Sequence, residues 1–80
     1  MKLRLFYRTQ RDVAKALNEL IDSYWNRDID EDYLLQGVHD LYEHNGDKMI
    51  KNRQFTTVLI QQSGKRRLAI VKRILTDHID

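Results

Sequence analysis

Between Val13 and Trp25 the apolar residues recur at the three- and four-residue spacing of a single helical face: Val13, Ala14, Leu17, Leu20, Ile21, Tyr24 and Trp25. Projected at 100° per residue they fill an arc of about 140°, which describes an amphipathic helix with one side to bury. Such a helix is stable only against other apolar faces, so the rest of the chain must supply them. Thr9 suits the N-cap of this first helix, and Asp12 three places on gives a weak capping box. Tyr24 and Trp25 close it with large aromatic groups that are expected in the core.

Two further stretches supply apolar faces. Leu34, Leu35, Val38, Leu41 and Tyr42 repeat the helical spacing after Asp30, a good N-cap. Ile29 stands at staple spacing from Leu34, and Glu31 and Asp32 lie in the first turn, where they favour the positive helix end. His44-Asn45-Gly46 is a stop signal. Residues 47–53 fit either a separate helical turn or a loop, with Met49 and Ile50 expected to be buried. A third helix is expected from about Asn52 to Gln62, with Phe55, Val58 and Leu59 inward. Its run from Phe55 to Ile60 is rich in β-formers, so a hairpin across Ser63-Gly64 competes. Helical spacing of Leu68, Val71, Ile74, Leu75 and His78 decides against the hairpin and predicts a fourth helix over Lys65–Asp77.

The expected fold is therefore all-α: one domain over residues 1–80 of about four short helices, a helical hairpin plus a C-terminal helix pair. Leu3, Leu5 and Tyr7 alternate with Lys2, Arg4 and Phe6 and predict an extended N-terminal arm, which could exchange with a second copy. The expected core is Val13, Leu17, Leu20, Ile21, Tyr24, Trp25, Leu34, Val38, Leu41, Phe55, Leu59, Leu68, Val71 and Leu75. A chain of 80 residues hides only about 60–65% of its unfolded surface, so this core is small. There is no Cys to staple it. That need for further burial, with the arm, motivates a homodimer. No apolar run approaches the ~20 residues of a membrane span, and the N-terminus is too short in apolar length for a signal peptide. The expectation is a soluble cytoplasmic protein with no membrane role.

A net charge of +2 conceals strong segregation. Residues 16–47 hold nine acids against Arg27, whereas residues 48–76 hold eight cations and no acid. Either the acidic middle covers the basic end and the fields cancel, or a basic surface is left for an anionic partner. On the fourth helix, Lys65, Arg66, Lys72 and Arg73 share the side opposite Leu68, Ile70, Val71, Ile74 and Leu75. These four are the candidate anion- or partner-binding residues. Arg67 projects into the apolar arc, where it must snorkel or pair with an acid from residues 16–47. Lys65, Arg66 and Arg67 also crowd a helix N-terminus, which disfavours cations unless an anion is bound there.

Two helices flanking a Ser-Gly turn, the second basic, allow a DNA-reading helix-turn-helix. The packing signature is poor: Ile60 stands where a small residue is expected and Lys65 where an apolar one is. No aromatic follows Phe55 to interleave with the cations as single-strand binders require. Catalysis has less support. Neither Ser23 nor Ser63 has a nearby His in sequence, and His39 and His44 point about 140° apart on a helix. No spacing of His39, His44 or His78 predicts a metal site, and no glycine-rich phosphate loop is present. No catalytic, cofactor-binding or metal-binding residue is expected, and no cofactor.

The runs Leu5-Phe6-Tyr7-Arg8-Thr9-Gln10-Arg11, Leu17-Asn18-Glu19-Leu20-Ile21-Asp22-Ser23-Tyr24-Trp25, Phe55-Thr56-Thr57-Val58-Leu59 and Gly64-Lys65-Arg66-Arg67-Leu68 resemble a family of short uncharacterised bacterial proteins, mainly from Gram-positive spore-formers. The resemblance covers nearly the whole chain. It implies a bacterial, intracellular protein and brings with it no activity and no site residues. Taken together, the leading expectation is a small non-enzymatic protein-interaction module, with a homodimer among its forms, that uses the basic C-terminal helix. The alternative is a DNA-binding protein that contacts phosphates through the same face.

Overall fold

A computed structural model describes residues 4–79 of the chain. Leu3, the first apolar residue of the expected arm, lies outside the described residues. The elements in order are α1 (Gln10–Trp25), α2 (Glu31–Met49), β1 (Ile50–Lys51), β2 (Gln54–Phe55), α3 (Thr57–Ile74) and a single 3-10 turn (Thr76–His78). The all-α class is as expected, with one minute antiparallel hairpin added.

Both predicted N-caps form. Thr9 Oγ1 accepts from Asp12 N–H at 3.0 Å, and Asp30 Oδ1 accepts from Tyr33 N–H at 2.8 Å. Each satisfies one of the donors that a helix start leaves free. α1 ends through Arg27 in the left-handed region (φ 64°), with Asp28 N–H bonded to Ser23 C=O and Arg27 N–H to Tyr24 C=O. This 6→1 closure is the motif in which glycine is usual.

The helix breaks fall where the sequence places them, while the start of the third helix and the end of the fourth differ. α2 breaks at Asn45 (φ −135°, ψ 27°), within the expected stop His44-Asn45-Gly46, and a further helical turn, one of the two forms expected for residues 47–53, carries it to Met49. The reason is tertiary. Asn45 is buried, its Oδ1 accepts from Tyr7 N–H at 3.0 Å, and its Nδ2 donates to Leu5 C=O at 2.9 Å and to Leu41 C=O at 3.1 Å. The side chain thus pairs with the arm as a neighbouring strand would, and fastens the arm to its own domain. The expected start of the third helix at Asn52 is replaced by a hairpin whose two-residue turn, Asn52 and Arg53, has positive φ at both positions (54° and 63°). That is the turn that matches strand twist. The helix begins instead after Thr56, whose N–H bonds Met49 C=O and whose Oγ1 donates to Lys48 C=O. The expected third and fourth helices lie on either side of a break at Gly64 (φ 79°, ψ 168°), as the sequence places it; together they are α3, and the second ends at Ile74 rather than Asp77.

α1 is the central element. It packs against both α2 and α3, which touch each other much less. Eleven of the fourteen expected core residues are buried, and Ala14, Ala16, Met49 and Ile79 complete the cluster. Trp25 is the clear exception, at 43% exposed, while Tyr24 and Phe55 are half-buried at the rim. Trp25 is the last residue of α1, with no following turn to cover it, so its ring lies at the surface.

Candidate functional site

The break at Gly64 organises the basic end. Two backbone carbonyls at the break in α3 are met by side chains, one from α1 and one from α3 itself. Asn18 Nδ2 donates to Gln62 C=O at 2.9 Å, and Arg67 Nη1 donates to Ser63 C=O at 3.1 Å. Arg67 is in turn held from α1, with Nε 3.0 Å from Asp22 Oδ1 and Nη2 2.9 Å from Asp22 Oδ2. This is the inward arginine paired with an acid from residues 16–47, as the helical projection predicts. The bidentate geometry is the strong form of the interaction. The Asp22 hydrogen bond and then its charge raise the Arg67 pKa above its ordinary range, and burial opposes them. The same junction buries Asn18 Oδ1 and Ser63 Oγ without a hydrogen-bond partner among the described residues. Each such atom costs about 1–3 kcal/mol, which the bonds around it must offset.

The three cations after Gly64 stand in the first turn of the helical segment that follows the break, as expected. They also adjoin the carbonyl end of the preceding segment, where positive charge is favoured. Arg67 uses that end, and its neighbours face outward.

Lys65, Arg66, Lys72 and Arg73 are all exposed. Lys65, Lys72 and Arg73 make no hydrogen bond or ion pair with any described residue. The guanidinium of Arg66 lies over the Trp25 ring, 5.7 Å from its centroid. That contact is worth about 0.5–1 kcal/mol at an exposed site, and it keeps an aromatic plane beside the cations. Sequence reasoning placed Trp25 in the core and missed this role. Its one signal is position, since a terminal aromatic has no following turn to cover it.

Beside this face runs an open groove of about 550 Å³ between α2 and α3, where those helices separate. Tyr24, Leu35, Ile70 and Ile74 line it with apolar surface, Glu31 stands on the α2 side and Arg73 on the α3 side. Leu35 is half-buried but does not pack on the core cluster. Of the candidate cations only Arg73 reaches this groove.

The histidines do not converge. His44 Nδ1 donates to Asp40 C=O at 2.9 Å and its ring meets Phe6 edge-on at 5.1 Å. His78 lies against Tyr42 with ring centroids 4.5 Å apart, and His39 is exposed at the groove. Among the described residues no three His, Asp or Glu side chains gather as a metal site requires. None of the helices described is long and apolar enough to cross a membrane.

A family model described as conserved hypothetical protein matches residues 4–76, and the chain belongs to that family. The match bears out membership of an uncharacterised family; it does not bear on the bacterial, Gram-positive part of the resemblance and adds no activity. No curated protein and no solved structure matches the chain.

Proposed function

We propose that this member of a family of conserved hypothetical proteins is a small non-enzymatic protein-interaction module, and that the basic face of α3 meets an acidic protein surface. The supporting observation is the unspent charge of Lys65, Lys72 and Arg73, which have no partner among the described residues while Arg67 beside them is fully engaged. The acidic segment does not cover this face. A protein partner is favoured over nucleic acid by the mixed polar and apolar groove that adjoins it, since phosphate contacts would leave Tyr24, Leu35, Ile70 and Ile74 unused.

Trp25 is the sole tryptophan and touches Arg66, so its fluorescence reports on the face directly. An acidic amphipathic helical peptide is titrated in parallel with a random-sequence DNA duplex at two salt concentrations. The expected result is saturable peptide binding that Lys72→Glu/Arg73→Glu abolishes with the helical signal intact. The reading is overturned by no response to the peptide together with duplex binding. Four phosphate contacts would then show as a slope of about −3.6 in log affinity against log salt.

A further inference from the structure

We infer that the acidic surface is supplied by a second copy of this chain, docked groove to groove so that the α2 wall of each copy lies on the α3 wall of the other. The inference rests on the basic-face reading above and names its partner.

Two independent features of the groove carry it. The first is charge. Its walls have opposite sign, with Glu31 at the start of α2 on one side and Arg73 on α3 on the other. No ion pair joins them within the chain. A twofold axis through the groove sets each residue against its counterpart, so the surface is complementary to itself, as a symmetric dimer interface must be. A foreign acidic helix would satisfy Arg73 and leave Glu31 facing like charge. The second feature is apolar area without a place in the core. Leu35 stands outside the core cluster, and Tyr24, Ile70 and Ile74 are only half-buried at its edge. A standard interface needs about 800 Å² from each partner, roughly one-seventh of this surface, which totals 5651 Å². The arm is not needed for this dimer, because Asn45 already holds it on its own domain.

Sedimentation equilibrium of the full chain, from low to high micromolar, tests the inference with a charge swap. Glu31→Arg and Arg73→Glu each set like charges together and should weaken the dimer by about tenfold or more. Glu31→Arg/Arg73→Glu re-pairs the walls in reversed sense and should return the dissociation constant to within about threefold of the natural chain. Both positions are exposed, and circular dichroism of each variant checks that the fold is kept. A natural chain that stays monomeric throughout overturns the inference, as does a dimer indifferent to the single reversals or not restored by the swap. Trp25 titration of the same samples with the acidic peptide separates the two levels. A monomer that still binds the peptide removes the dimer and leaves the basic-face reading standing, whereas a monomer that binds none removes both.

Discussion

Arg67→Ala removes three hydrogen bonds at the Gly64 break, two to Asp22 and one to Ser63 C=O. The magnitude follows from exposure. The side chains of Arg67 and Asp22 are 30% and 43% exposed, so solvent screens the pair. A fully exposed ion pair couples by about 0.2–1 kcal/mol, and breaking a fully buried one costs about 3–5 kcal/mol. Partial burial and bidentate geometry place this pair at about 1–1.5 kcal/mol. The Ser63 contact adds about 1 kcal/mol, because its carbonyl has no helical donor across the break. Arg67→Ala should therefore lose about 2–2.5 kcal/mol, and Asp22→Ala about 1–1.5 kcal/mol. For a domain of this length the larger loss lowers the thermal midpoint by about 8–20 °C.

Urea unfolding of the natural chain, both single variants and the double variant closes the cycle. A coupling below about 0.2 kcal/mol would refute the assignment of the pair as the clamp on the break. Arg67→Lys that recovers full stability would refute the bidentate argument, since an ammonium cannot span both carboxylate oxygens and reach Ser63 as well. The pH dependence has a definite sign. The folded chain raises the Arg67 pKa, so this contribution is complete below the ordinary arginine range and is lost only as pH rises beyond it. Titration of Arg67 itself therefore adds no slope to stability across neutral pH.

Two further perturbations address the backbone. At Gly64 an added Cβ would meet nothing within 4 Å, so Gly64→Ala isolates the conformational cost of φ 79° and ψ 168°. That region is nearly exclusive to glycine, and the variant should lose about 1–3 kcal/mol in urea unfolding; an unchanged midpoint would mean that the break does not persist in solution. Asn45→Ala removes the side chain that holds Leu5 and Tyr7, so the Tyr7 amide should exchange at nearly the rate of a free peptide, with a global loss of about 1–2 kcal/mol. Retained protection at Tyr7 would show that the arm is fixed by other contacts.

What was legible in the sequence is what local chemistry decides. Thr9 and Asp30 cap helices because their side-chain oxygens reach an N–H three residues ahead, and no distant residue is needed. Arg67 was legible because helical geometry leaves it facing the apolar arc, where only an acid from another element can satisfy it. The hairpin was not legible. Its turn uses Asn52-Arg53, and the usual signal for paired positive φ is a glycine at the second position. The break at His44-Asn45-Gly46 was legible, but not that Asn45 makes its bonds 38 and 40 residues away in sequence. The groove was invisible for a related reason. Periodicity identifies which residues of α2 and α3 are apolar, not that α1 keeps the two helices apart along part of their length.

The same local arithmetic explains why the basic face stays open. The acids of the middle segment have nearby uses: Asp30 caps α2, Glu31 and Asp32 lie in its positive first turn, Asp40 accepts from Gln36, and Asp22 clamps Arg67. None of these needs the outward cations. Leaving those cations unpaired costs the isolated chain little. Lys65 and Arg66 stand seven residues before Lys72 and Arg73, about 10 Å along the helix, and at ~0.1 M salt that is one Debye length. Their mutual repulsion is thus largely screened. A carboxylate brought to about 4 Å of one of them gains ~1 kcal/mol even at the dielectric of water, and several times that once an interface excludes solvent. Screening over the longer distance and contact over the shorter one make the charged face nearly neutral for folding and favourable for association. On that balance Arg73→Glu should weaken the proposed dimer far more than it changes the stability of the fold.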